Sequence, residues 1–200
     1  PPGALFMQLQ LLQADKNIRY YIYIRVFAKR VFLPLTAIYF MDYAKLTIIE
    51  IGWLSAFFSI IQLLAEVPTG YFADRIGRVA SIRFGATLAA MATTIYAFVQ
   101  HKTGIILGVG FEALGYCFMG GAGEALIHDS LHLKNEVNEY TRVMSNNMAI
   151  SLIVNAVLVS LATYTYRINP HLPFILGTFC YLLLLLATTQ LKDIYPPKTK

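Results

Sequence analysis

The chain has 200 residues, 57% of them hydrophobic and only 14% charged, with a mean hydropathy of +0.57. A globular chain carries about 25% charged residues, so a soluble enzyme, a nucleic-acid-binding domain and a disordered tail are all excluded. The net charge of +5 reads as the basic loops of a membrane protein rather than as a nucleic-acid footprint.

The opening Pro1-Pro2-Gly3 has neither an initiating Met nor a charged leader with a short apolar core, as expected of a piece of a longer protein. Residues 1–18 read as a cytoplasmic amino-terminal segment. Six membrane helices are predicted, at about 19–43, 47–73, 79–99, 103–126, 145–166 and 172–191. The stretches 143–166 and 168–191 contain no Asp, Glu, Lys or Arg, and each exceeds the ~20 residues that a bilayer crossing needs. Apolar character without a period of two means helices, not barrel strands. The fold class is therefore all-α, a polytopic membrane protein with six transmembrane helices.

Thr47-Ile48-Ile49-Glu50 opens the second helix as a capping box, Thr and Glu satisfying each other's free amides. The longest connection, 128–144, carries Asp129, Lys134, Glu136, Glu139 and Arg142 and reads as a solvated connector with a short surface helix. Asn169-Pro170 and Pro173 punctuate the turn into the sixth helix, and residues 192–200 form a tail or the start of a linker. Ten bases, from Lys16 and Arg19 to Lys198 and Lys200, fall on one side, against Lys45, Lys102 and Arg167 on the other. The positive-inside rule then places both termini in the cytoplasm.

Charge at bilayer depth costs ~3 kcal/mol per residue on insertion scales, so it asks for a partner or a function. Lys29 and Arg30 lie well inside the first predicted helix, with Arg25 a turn nearer the cytoplasm; Glu66 lies in the second and Glu112 in the fourth. These acids and bases neutralise one another if the three helices face a shared cavity, either as a fixed lock or as a substrate or proton site. Glu112 or Glu66 is expected within salt-bridge reach of Lys29 or Arg30. Ser55, Ser59, Gln62, Glu66 and Gly70 share a face of the second helix, and Asn147, Ser151 and Asn155 share a face of the fifth. Such stripes either line a water-filled path or join helices. The fourth helix holds seven of the 13 glycines, and Gly104 and Gly108 have the spacing for close helix contact.

Cys117 and Cys180 read as small buried hydrophobes. His128 and His132 stand four apart with Glu124 a turn earlier, but no Cys or fourth ligand is nearby, and no metal site or cofactor is assigned. The G-x-S-x-G and H-E-x-x-H motifs are absent, so no enzyme is expected.

Between the second and third helices runs Gly70-Tyr71-Phe72-Ala73-Asp74-Arg75-Ile76-Gly77-Arg78. Gly70 suits a close helix contact, Asp74 ends the helix near the following bases, and Gly77 suits a tight reversal. This run resembles the signature loop of the major facilitator superfamily: Gly, three residues, Asp, Arg or Lys, one residue, Gly, two bases. Gly70, Asp74, Arg75, Gly77 and Arg78 match; Val79 replaces the last base and Phe72 the usual Leu. Glu66-Val67-Pro68-Thr69-Gly70, and the run from Gly120 through Glu124 to Asp129, are similar to the lead-in and the fourth-helix end of bacterial efflux-type members. Phe111 stands where proton-driven drug antiporters of the family have Arg, and Lys29 and Arg30 are not features of the efflux group.

The resemblance implies the amino-terminal six-helix half of a twelve-helix secondary transporter in the cell membrane. Such a protein moves a small solute by alternating access, with drug or metabolite efflux coupled to protons as the expected activity. It implies a gating role for Gly70, Asp74, Arg75, Gly77 and Arg78, and a place for Glu124 and Asp129 at the cytoplasmic end of the fourth helix. Lys29, Arg30, Glu66 and Glu112 are the substrate or proton site candidates. The partners expected are the lipid bilayer, a small-molecule substrate and a second six-helix half or a homodimer mate, with no nucleic acid. The alternative is a six-helix membrane scaffold or binding subunit that transports only as a dimer or with a second half.

Overall fold

The computed structural model describes residues 2–194, the side chains of 2–6 and 8 excepted. Seven helices follow in order: α1 Pro2–Phe27, α2 Leu33–Asp42, α3 Ile48–Ile76, α4 Arg78–Phe98, α5 Lys102–Leu133, α6 Tyr140–Ile168 and α7 Leu172–Thr188. No strand occurs among the described residues. Helices α3, α4, α5 and the run leading into α6 are long and apolar enough to cross a membrane, and α7 is a shorter apolar helix.

The first predicted helix is not continuous. It is two helices, α1 and α2, separated by residues 28–32, and the break falls on Lys29 and Arg30. Pro34 explains it. Proline has no N–H to donate to the carbonyl four residues back, and its ring would clash with that carbonyl. The carbonyl concerned is that of Arg30, which instead accepts from the Leu33 amide at 3.0 Å. The intervening turns are tighter still, Val31 N donating to Lys29 O at 3.0 Å. Residues 2–18, expected as a separate leading segment, belong to the same helix as Phe27.

Three other boundaries move. Helix α3 passes through Asp74 and stops at Ile76, because Gly77 at φ 117° takes a conformation that L side chains rarely adopt. Helix α5 continues to Leu133, so the long connection shrinks to residues 134–139, which hold a short 3-10 turn at Val137–Glu139 instead of a surface helix. Beyond α7 the tail is described only to Ile194, so Lys198 and Lys200 lie outside the described residues. The capping box is formed: Glu50 N donates to Thr47 Oγ1 at 3.3 Å and Thr47 N to Glu50 Oε2 at 2.8 Å.

Helices α4 and α5 form the centre. Their crossing is close because a side chain is missing on both sides. A Cβ on Gly85 would lie 2.6 Å from the Gly115 carbonyl oxygen, and one on Gly115 would lie 2.7 Å from that of Gly85. Such small-residue seams let backbones pack where lipid gives no hydrophobic drive. Gly70, by contrast, has nothing within reach of an added Cβ, so the expected close contact there is not made. Helix α7 seats on α4, with Phe174, Tyr181 and Leu184 buried beside Ile82, Ala86, Ala89 and Tyr96. Helices α3 and α6 lie outside: 6% of the apolar window of α3 is buried against 56% of that of α4.

At the end bearing Gly77, three distant segments are tied together. Asp193 Oδ1 accepts from the amides of Arg78 at 2.8 Å and Val79 at 3.1 Å, capping α4. Arg83 of α4 returns the contact, donating to the Thr188 carbonyl at the end of α7 at 2.9 Å. Carboxylate at a helix start and cation at a helix end are each favoured by the helix dipole. Buried Asn17 of α1 exchanges hydrogen bonds with the Lys192 backbone, 2.9 Å and 3.2 Å, and reaches Ser130 of α5.

Candidate functional site

The α1–α2 break opens onto the interior of the bundle. Irregular backbone at membrane depth is tolerated where it lines a cavity or is covered by protein, and residues 28–30 line a cavity of about 430 Å³. Its walls are Arg25 and Ile24 of α1, Lys29 and Arg30 of the break, Phe58 and Gln62 of α3, Tyr116 and Gly120 of α5 and Asn155 of α6. A second cavity, about 260 Å³, lies on the other side of Arg30, Leu33 and Phe58 and reaches Ser55, Ser59, Tyr96 and Glu112.

Arg30 and Glu112 meet at this partition. Arg30 Nε donates to Glu112 Oε1 at 2.6 Å, and the buried hydroxyl of Tyr96 donates to Glu112 Oε2 at 2.9 Å. The guanidinium also lies over the Phe58 ring, 4.5 Å from its centroid, an attractive placement for a cation. Both carboxylate oxygens are therefore satisfied, as a buried carboxylate requires. Tyr96 is held in turn: Phe32, Phe40 and Phe174 pack edge-on against its ring. Its carbonyl accepts from Tyr39 Oη at 2.9 Å. Because that hydroxyl spends its proton there, His171 Nδ1, 2.7 Å away, is the donor to Tyr39.

Lys29 and Glu66 behave differently. Lys29 lines the first cavity and forms no salt bridge among the described residues. Glu66 is exposed and lines a third cavity, also about 430 Å³, with Thr69, Gly70, Cys117 and Gly121; its lining holds no base. The two polar stripes also separate by role. That of α3 lines the cavities one after another, Ser55 and Ser59 in the second, Gln62 in the first and third, Glu66 and Gly70 in the third. In α6, Asn147 and Ser151 turn back on their own helix, bonding Val143 O and Met148 O at 2.8 Å each, and only Asn155 reaches a cavity.

In the loop motif, Arg78 Nε pairs with Asp129 Oδ2 at 2.7 Å, joining α4 to α5. Arg75 lies 5.4 Å from the Tyr71 ring centroid. Asp74 is exposed and forms no salt bridge among the described residues, so it does not reach the following bases as expected. Glu124 lies 3.9 Å from Arg25 Nη1, and His128 stacks on His132 with 6.4 Å between ring centroids.

A family model described as the Major Facilitator Superfamily matches residues 23–200. The chain belongs to the Major Facilitator Superfamily. Its all-α bundle is accordingly a multi-pass membrane protein of major-facilitator type, in a family of transporters and not enzymes. It is 29% identical to an uncharacterized MFS-type transporter, YxaM, of Bacillus subtilis (strain 168), over 80% of this chain and 39% of that protein. It is 28% identical to the vesicular acetylcholine transporter of Tetronarce californica over 68% of this chain and 26% of that protein. A probable vesicular acetylcholine transporter-A of Danio rerio is 31% identical over 44% of this chain and 17% of its own length. The chain thus spans well under half the length of these curated relatives.

Several contributors to the site carry no sequence signal that singles them out. Tyr96 is one of 13 tyrosines, and Asp193 meets Arg78 across 115 residues of chain. Pro34 did carry a signal, being a proline in the interior of a predicted helix.

Proposed function

We propose that this chain is the amino-terminal half of a secondary transporter of the cell membrane, both termini cytoplasmic, that moves a small solute by alternating access. The observation that carries this reading is the helix break at Lys29 and Arg30 opening onto a charged cavity inside the bundle. Discontinuous helices at the substrate site are a recurring device of secondary transporters. A volume of about 430 Å³ also lies in the range of small-molecule sites, ~300–1,000 Å³. Glu112 is the carboxylate that would exchange a proton, since protonation would release Arg30 from their contact and so couple proton movement to the partition between the two cavities.

Asp74, exposed at the loop, gates conformation by engaging the second six-helix half when the cytoplasmic side is closed. Arg78 and Asp129 hold the loop in place meanwhile. A second reading, a six-helix binding subunit that works only with a mate, is favoured by the bare apolar faces of α3 and α6, such as Trp53 and Val157. The acetylcholine named for the vesicular relatives is not carried over to the first cavity, whose lining holds three bases and no acid. The test is solute flux by the full-length protein in proteoliposomes, with a pH-gradient control. Asp74→Asn should slow turnover while leaving half-saturation nearly unchanged; normal turnover with lost affinity would refute the gating role.

A further inference from the structure

We propose that the first cavity, at the helix break, binds an organic anion, its carboxylate or phosphate held by Lys29 and Arg25. The proposal rests on the transporter reading and adds the charge of its substrate. The lining supplies three bases, Arg25, Lys29 and Arg30, and no Asp or Glu. Two acids stand behind that lining and are engaged to unequal degrees. Glu112 is fully used by Arg30 and Tyr96. Glu124 is half exposed and only reaches 3.9 Å from Arg25 Nη1. Three cations against two acids leave the site one positive charge in excess, and Lys29 is the cation with no salt bridge among the described residues.

Unsatisfied polar atoms point the same way. Arg25 Nε and Asn155 Oδ1 are both buried and lack a hydrogen-bond partner among the described residues, and both belong to walls of this one cavity. Buried polar groups are nearly always paired, so each orphan asks for a partner. An arginine and a lysine on the lining of one cavity suit a carboxylate or phosphate, which accepts several charge-assisted hydrogen bonds. Asn155 belongs to the same lining, so its amide would meet a hydroxyl or amide on the rest of the molecule. Tyr21, Phe58 and Tyr116 supply apolar and aromatic wall for the carbon skeleton.

The test uses three probes of one shape that differ in charge: benzoate, benzamide and benzylammonium. Binding to the detergent-purified full-length protein is measured by calorimetry, for wild type, Lys29→Gln, Lys29→Arg and Arg25→Gln. Benzoate should bind wild type at least tenfold more tightly than either other probe. Lys29→Gln and Arg25→Gln should each lose tenfold or more for benzoate, and Lys29→Arg should keep most of the affinity. Equal or tighter binding of benzylammonium, no binding of any probe, or benzoate affinity indifferent to Lys29→Gln would each overturn the proposal. Thermal unfolding of each variant without ligand separates misfolding from loss of the site, and Lys29→Arg covers the case in which Lys29→Gln fails to fold. Flux keeps the two readings apart. Transport of a neutral or cationic solute that survives Lys29→Gln refutes the anion site alone. Benzoate binding by a full-length protein that moves no solute refutes the transporter reading alone.

Discussion

Arg30 and Glu112 should not be equivalent when removed singly. Their separation corresponds to unit charges about 4 Å apart, which attract by about 4 kcal/mol at an effective dielectric of 20, and breaking a buried pair on one side costs ~3–5 kcal/mol. The side chain of Glu112 is 4% exposed and that of Arg30 22%. Arg30→Met therefore strands a carboxylate with only the Tyr96 hydroxyl beside it, at the full cost of ~3–5 kcal/mol unless it takes up a proton. Glu112→Gln leaves a cation that still lies over Phe58, touches two cavities and keeps an amide oxygen to bond. Its cost should fall to about 1–2 kcal/mol, near that of one exchanged hydrogen bond to a charged group. The double variant Arg30→Met/Glu112→Leu, which buries no charge, should recover most of the loss. Thermal unfolding of the full-length protein in detergent measures all four forms. Equal losses for the two single variants, or a double variant worse than either, would refute the reasoning.

Asp193→Ala removes the acceptor for two amides at the start of α4 and should cost about 1–2 kcal/mol, typical of a lost helix cap, seen as a lower unfolding temperature; an unchanged temperature would mean that the cap is idle. Gly115→Ala sets a methyl 3.0 Å from the Ala89 amide nitrogen and closer still to the Gly85 carbonyl, so α4 and α5 must separate at about 1–3 kcal/mol. Gly120→Ala, with nothing within 4 Å, should leave stability near wild type in the same measurement, and similar losses at the two glycines would count against the seam. Pro34→Ala restores the amide that the break lacks, and should lower benzoate binding by letting α1 run on past Lys29; cysteine accessibility along residues 28–32 would detect the change, and an unaltered pattern would show that proline does not set the break.

The class of the protein and most of its helices were legible before any fold was known, because apolar length and clustered charge are properties of the chain alone. Thr47 and Glu50 announced their helix start, and the Gly70–Arg78 run announced its family, since both act through neighbours a few residues away. Arg25, Lys29, Arg30 and Glu112 were legible as anomalies, their cost at bilayer depth being independent of the fold. Which of them pair depends on the packed bundle. It gave Arg30 to Glu112, put Glu66 in another cavity and left Lys29 facing open space, because those outcomes depend on how α3 and α5 turn against the break. It also recruited Tyr96, Asn155 and Asp193, whose roles exist only across packed helices. Local signals act over one or two turns, whereas a buried charge is settled by whatever the bundle brings within about 4 Å of it.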